Sequence, residues 1–130
     1  MADKEAIRTE DAPAPFQGAP YSQAIRAGGL VFVSGQIALL PGGGSELVSD
    51  AIGAQTEQVF ANLRAILEAA GSGLDRLVKT TVFLQDFGDF AAMNEVYARH
   101  VGDAPPARST VEVAKLPSGA LVEIEAVAYV

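Results

Sequence analysis

The sequence contains no cysteine among its 130 residues. That absence removes disulfides, thiolate nucleophiles and cysteine-based metal sites together, and it fits a reducing compartment. Histidine is nearly missing too. His100 is the single one, so Ser34 has no partnered histidine in view for a hydrolytic triad. Basic charge is scarce, with 9 Lys and Arg against 16 Asp and Glu and a net charge of −7. Such a surface repels phosphate backbones, so no nucleic-acid partner is expected. No apolar run reaches the length of a bilayer span. The charged opening, Met1 to Asp11, lacks the apolar core of a secretory signal. The glycines Gly42 to Gly44 lack the Lys-Ser/Thr partner of a phosphate loop. No internal repeat is visible. These absences predict a cytosolic protein with no membrane role.

What is present is apolar. Hydrophobic residues make up 49 % of the chain and charged residues 19 %. A chain of this length forms one domain, 1–130, that can bury a sizeable core, and the apolar share suggests contacts between subunits. Residues 1–19 are polar, then rich in Ala and Pro, and read as an N-terminal arm. Gly28-Gly29 between two strand-like segments predicts a hairpin from Tyr21 to Ile37 with a primed turn. Both faces of its second segment are apolar, as in a strand covered on both sides. Pro41 to Ser45 is a flexible loop. Val59, Leu63, Ile66 and Ala70 recur at helical spacing, which predicts a helix over about 51–70, capped by Asp50 and ended by Gly71 and Gly73. Leu77 to Gln85 reads as a strand. Asp89 is placed to cap a second helix reaching Val101, with Phe90, Met93, Tyr97 and His100 on one stripe. Ser109 to Ala114 and Leu121 to Tyr129 read as the last strands.

The predicted order is β-β-α-β-α-β-β, an α+β fold with a mixed sheet and both helices on one face. In the final strand Val122, Ile124, Ala126 and Ala128 would meet the helices. Leu121, Glu123, Glu125 and Val127 would point the other way. That second face is too apolar to leave in water, which predicts a homo-oligomer that buries it, and ligand pockets form readily where such surfaces meet.

Arg108 is the most informative residue. It follows Pro105-Pro106-Ala107 and opens a strand. A lone guanidinium there suits a small carboxylate, because its planar fork makes two parallel charge-assisted hydrogen bonds. Taken alone, Arg108 fits equally a salt bridge to Glu112 or to another subunit. Glu123, in an otherwise apolar strand, is a general-base candidate, or else pairs with Lys115 or Arg108. Glu125 reads as structural. Tyr21 reads first as a packed aromatic and Asn94 as a surface hydrogen-bonder. His100 reads as packed near a helix end, where positive charge is favourable.

The ordered motifs Pro20-Tyr21-Ser22-Gln23-Ala24, Val33-Ser34-Gly35-Gln36, Asn94-Glu95-Val96-Tyr97, Pro106-Ala107-Arg108-Ser109 and Val122-Glu123-Ile124-Glu125-Ala126 resemble those of the RidA/YjgF family of reactive-intermediate deaminases. The resemblance covers the chain from Ala14 to Val130. It implies a chorismate-mutase-like fold and a homotrimer whose sheets pack into a central barrel-like arrangement with clefts between subunits. It also implies hydrolysis of enamines and imines such as 2-aminoacrylate and 2-iminobutyrate to 2-keto acids and ammonia, and hence a functional link to the pyridoxal-phosphate enzymes that release them. No cofactor and no metal are implied. Carried over by residue, Arg108 anchors the carboxylate, Tyr21, Ser34, Gly35, Asn94 and Thr110 line the cleft, and Glu123 positions or activates water. Thr110 departs from the family pattern, since many relatives have Cys there. If that position contributes through its backbone, the change matters little.

Other classes compete. A non-catalytic trimer that binds small carboxylates, or a regulator or chaperone, would use Arg108 equally well. Ribonuclease activity has been ascribed to some relatives, but the acidic charge and the lack of a histidine pair count against it here.

Overall fold

In the computed structural model, which describes residues 3–130, the α+β architecture is a mixed six-stranded sheet with two α-helices across one face. The strands are β1 (Glu5–Ile7), β2 (Ala24–Ala27), β3 (Leu30–Gln36), β4 (Leu77–Leu84), β5 (Ala107–Glu112) and β6 (Val122–Tyr129). The helices are α1 (Ile52–Ala69) and α2 (Phe90–Val101). Spatial order is β1-β2-β3-β6-β4-β5, antiparallel throughout except for the parallel β4–β5 pair.

The local reasons are those the residues suggest. Gly28 and Gly29 both have positive φ, 58° and 79°, the pair of values that a primed hairpin turn demands and that only glycine adopts without strain. Helix α1 ends in a Schellman arrangement: Ser72 N donates to the Leu67 carbonyl, Gly71 N donates to that of Glu68, and Gly71 sits at φ 82°.

The core lies between the helices and the sheet. Phe60, Leu63, Ile66 and Leu67 of α1 and Met93 of α2 are fully buried against Val31, Val82, Val122, Ile124 and Ala128. Each such side chain contributes roughly 1.5–3 kcal/mol of burial. The period-2 pattern of β6 delivers that face, with Val122, Ile124, Ala126 and Ala128 all buried.

Several expectations are corrected. The arm is not wholly irregular, because Glu5–Ile7 adds an edge strand on β2, held also by the Glu5–Arg26 ion pair. Asp50 does not cap α1. Ala51 is the cap residue, with no side-chain bond from that position, and Ser49 Oγ accepts from Ala51 N instead. Asp89 sits at the start of α2 without a capping bond, whereas Asp86 accepts from Gly88 N one turn earlier. β5 begins and ends two residues earlier than expected. The open face of β3, which the sequence assigns to contacts between subunits, is bare within one copy of the chain: Phe32 is 46 % exposed.

No helix among the described residues is long and apolar enough to cross a membrane.

Candidate functional site

β3 and β6 lose register between Val33 and Gln36, so that Ser34 and Gly35 together oppose the single residue Glu125. This is a β-bulge, which bends the strand and re-aims its side chains. The irregular segment leading into β2 is tied to the same place. Ser34 Oγ donates to the Ser22 carbonyl at 2.7 Å, and Ser34 N donates to that of Gln23 at 3.0 Å. Tyr21, one residue earlier, has its hydroxyl oxygen bonded by Phe16 N at 2.6 Å.

A cavity of about 440 Å³ opens over the bulge, and Tyr21, Ser34, Gly35 and Glu123 all line it. The Glu123 side chain lies directly across Gly35, where a Cβ on residue 35 would fall 2.6 Å from Oε2. Burial holds the Glu123 carboxyl above its ordinary value of 4.5, and the neighbouring Glu125 adds to the rise. Glu125 lines the cavity as well. It shares the strand face of Glu123 two residues on, the period-2 signal that places it there. Neither Lys115 nor Arg108 forms an ion pair with Glu123 among the described residues.

Arg108 sits elsewhere. In the parallel register it pairs with Thr80 and Thr110 pairs with Val82, both on the helix side of β4. The guanidinium carbon lies 4.7 Å from the Tyr97 ring centroid and 5.5 Å from that of Phe90, a cation–π bed on the surface of α2. Tyr97 is fixed in turn by a 2.6 Å hydrogen bond between its hydroxyl and Thr80 Oγ1. Asn94 lies on the same helical stripe, four residues after Phe90 and three before Tyr97. Its Oδ1 is buried without a hydrogen-bond partner, a costly state that a donor from outside would relieve. Arg108 makes no salt bridge among the described residues. Glu112, its expected alternative partner, accepts instead from Phe87 N at 2.8 Å.

The expected site residues therefore fall into two groups. Tyr21, Ser34, Gly35 and Glu123 meet at the bulge. Asn94, Arg108 and Thr110 gather at the β5 edge beside α2. Glu123 pairs with Phe83 on the open face of the sheet, while Arg108 faces the helices. β4 also intervenes between them, so they stand two strand spacings apart across the sheet, roughly 9–10 Å, a further three residues apart along the strands, and on opposite sides. One copy of the chain does not bring guanidinium and carboxylate together.

The residues missed from sequence are mostly walls. Pro13, Phe16, Ile37, Leu39 and Pro117 line the cavity. Hydrophobicity alone gives no signal that separates them from core. His100 is packed as expected, stacked on Phe60 and paired with Glu57, and Phe60 separates it from the Tyr97 ring that beds Arg108.

Residues 9–130 match the family described as Endoribonuclease L-PSP. A RutC family protein of Pyrococcus horikoshii is 54 % identical over 126 residues, covering 97 % of this chain and 98 % of that one. The chloroplastic Reactive Intermediate Deaminase A of Arabidopsis thaliana is 48 % identical over 125 residues, covering 96 % of this chain and 65 % of that longer one. Among solved structures, a protein of the conserved Rid family from Yersinia pestis superposes with a TM-score of 0.92 at 46 % identity, covering 98 % of this chain and 100 % of that chain. The fold these share is chorismate-mutase-like.

Proposed function

We propose, from the premise that the chain belongs to the Endoribonuclease L-PSP (RidA/YjgF) family, that it is a hydrolytic deaminase of small enamines and imines carrying a carboxylate, and that it yields 2-keto acids and ammonia. The working unit is a homotrimer. A second copy supplies the Arg108 edge to the cavity that holds Glu123 in the first. The observation that carries this reading is the half-buried Glu123 carboxylate, raised in pKa and laid over a glycine in a cavity of about 440 Å³. A carboxylate so held, its pKa raised by burial, is a better proton acceptor than a surface carboxylate.

In the proposed reaction the Arg108 fork grips the substrate carboxylate, which supplies the positional advantage of a bound reactant. An enamine first takes a proton on carbon and becomes the imine. Water then attacks the imine carbon. Its oxygen forms the new C–O bond while Glu123 accepts the water proton, the C=N pair moves to nitrogen, and Glu123 then returns that proton to the nitrogen. The resulting carbinolamine expels ammonia as its hydroxyl loses a proton and closes to the ketone. The family description names an endoribonuclease, but a net charge of −7 and a single histidine, engaged by Glu57, disfavour phosphodiester chemistry.

The test is to add purified protein to a serine or threonine dehydratase reaction and follow keto-acid release. Faster release that disappears in Arg108→Ala supports the reading. Keto-acid binding without any acceleration would leave a carboxylate-binding module.

A further inference from the structure

We infer that Gln23 is a positioning residue for the Tyr21 phenol and that it acts through the N-terminal arm, which is thereby a working wall of the cavity; this rests on the function proposed above. Gln23 is only 3 % exposed, although it precedes β2 on an irregular segment. Its amide is fully used. Oε1 accepts from Thr9 N at 2.7 Å, and Nε2 donates to the carbonyls of Thr9, Ala12 and Pro13 at 3.1, 3.3 and 2.8 Å. Two N–H bonds thus serve three carbonyls. A buried amide is costly to leave unpaired, so side chain and arm fix each other.

The arm needs such a fastening. Its pairing with the sheet ends at Ile7, and no helix or strand intervenes before Phe16. Where Gln23 holds it, the arm lies over the cavity, with Pro13, Ala14 and Phe16 in the lining beside Tyr21 and Glu123. The next link is direct. Phe16 N donates to the Tyr21 hydroxyl oxygen at 2.6 Å. A phenol that already accepts a backbone N–H has its single proton left to give, and here the ring lines the cavity. The donor is therefore free for a ligand oxygen or nitrogen in the cavity that Glu123 also lines. Its direction is set by Phe16, and the register of Phe16 is set three residues earlier, where Gln23 holds Pro13.

The test uses the full-length protein in two readouts. The first is amide hydrogen exchange at Phe16, which does not depend on activity. The second is kcat/KM for imine hydrolysis in Gln23→Met, Tyr21→Phe and the double variant. We expect Gln23→Met to speed Phe16 exchange and to lower kcat/KM by about tenfold or more, chiefly in kcat, as a misplaced catalytic group does. We expect little further loss when it is added to Tyr21→Phe, because the two act through one contact. Unchanged exchange at Phe16, or an equal loss in both backgrounds, would overturn the inference, since a residue that only stabilises the fold has no reason to couple to a phenol. Should Gln23→Met fail to fold, Gln23→Glu keeps the acceptor for Thr9 N, loses the three donor contacts and goes through the same cycle. A wild-type protein inactive on imines sinks the proposed function alone. The exchange readout, with 2-oxobutyrate affinity replacing kcat/KM in the cycle, then still decides the role of Gln23.

Discussion

The Glu123 carboxylate occupies the space in which any residue other than glycine at position 35 would carry its Cβ: that atom would lie 2.6 Å from Oε2 and 2.9 Å from Cδ. Real Cβ atoms do not approach so closely, so one of the two must yield. The glutamate is the softer partner, because the bulged backbone is held by β6 on one side and by the Ser34 bonds on the other.

Gly35→Ala is therefore expected to displace Glu123 without unfolding the protein. Gly35 is not among the glycines with positive φ, so alanine brings no backbone strain and a melting temperature close to that of the parent. Imine hydrolysis should fall by about 10- to 100-fold, the usual cost of moving a reacting group by an ångström. Full activity in Gly35→Ala would show that the position of Glu123 is unimportant.

Glu123→Gln separates catalysis from stability. The folded protein binds the Glu123 proton more tightly than the unfolded chain does, so the native state holds more protons through the window between 4.5 and the raised folded value. Stability contributed by this group therefore falls as pH rises through that window. The variant should melt higher than the parent at neutral pH, and the difference should vanish below the ordinary carboxylate value of 4.5. Activity should be lost at every pH. In the parent, the acid limb of the kcat/KM profile should lie above 4.5, reporting ionisation of this group. Thermal melts across pH check the first expectation, and initial rates check the second.

Arg108→Lys keeps the charge over Tyr97 and loses the fork. One charge-assisted hydrogen bond is worth about 1.5–3 kcal/mol, and every 1.4 kcal/mol is about tenfold in affinity. Calorimetric titration with 2-oxobutyrate should show binding weakened by about tenfold or more in Arg108→Lys, and further in Arg108→Ala. Equal affinities of Lys and Arg would mean that the contact is a point charge only.

The opposite facings of Arg108 and Glu123 predict complementation. Arg108→Ala and Glu123→Gln should each be inactive alone. Refolded together in equal amounts as random cyclic trimers, they should recover about a quarter of the sites, those in which one subunit gives an intact carboxylate and its neighbour an intact guanidinium. No recovery, with trimers present by sedimentation, would place both groups in one subunit. A monomer at micromolar concentration would remove the shared site altogether.

Much of the frame is legible in the residues. The spacing of Val59, Leu63 and Ile66 places α1. The alternation Val122, Ile124, Ala126, Ala128 fixes which side of β6 meets the helices, and Gly28-Gly29 fixes the hairpin. Each is a local signal, because a backbone period or a required φ is written in adjacent residues. For the candidate site, the residues suggested members but not their arrangement. The bulge that turns Ser34 and Gly35 towards Glu123 arises from a slip against β6, some 90 residues away by number. The cation–π bed of Arg108 uses rings that look like ordinary core, and the three-carbonyl grip of Gln23 joins it to an arm that reads as featureless. Non-local contacts of this kind leave no mark on local composition.

By itself, then, the chain of residues determined the α+β class, the open apolar face, and a guanidinium and a carboxylate on separate strands, since period and polarity follow from side-chain chemistry alone. Only the tertiary structure decided that these two charges face opposite sides of one sheet. Strand order and register, which set that facing, depend on which segments pair across the whole fold.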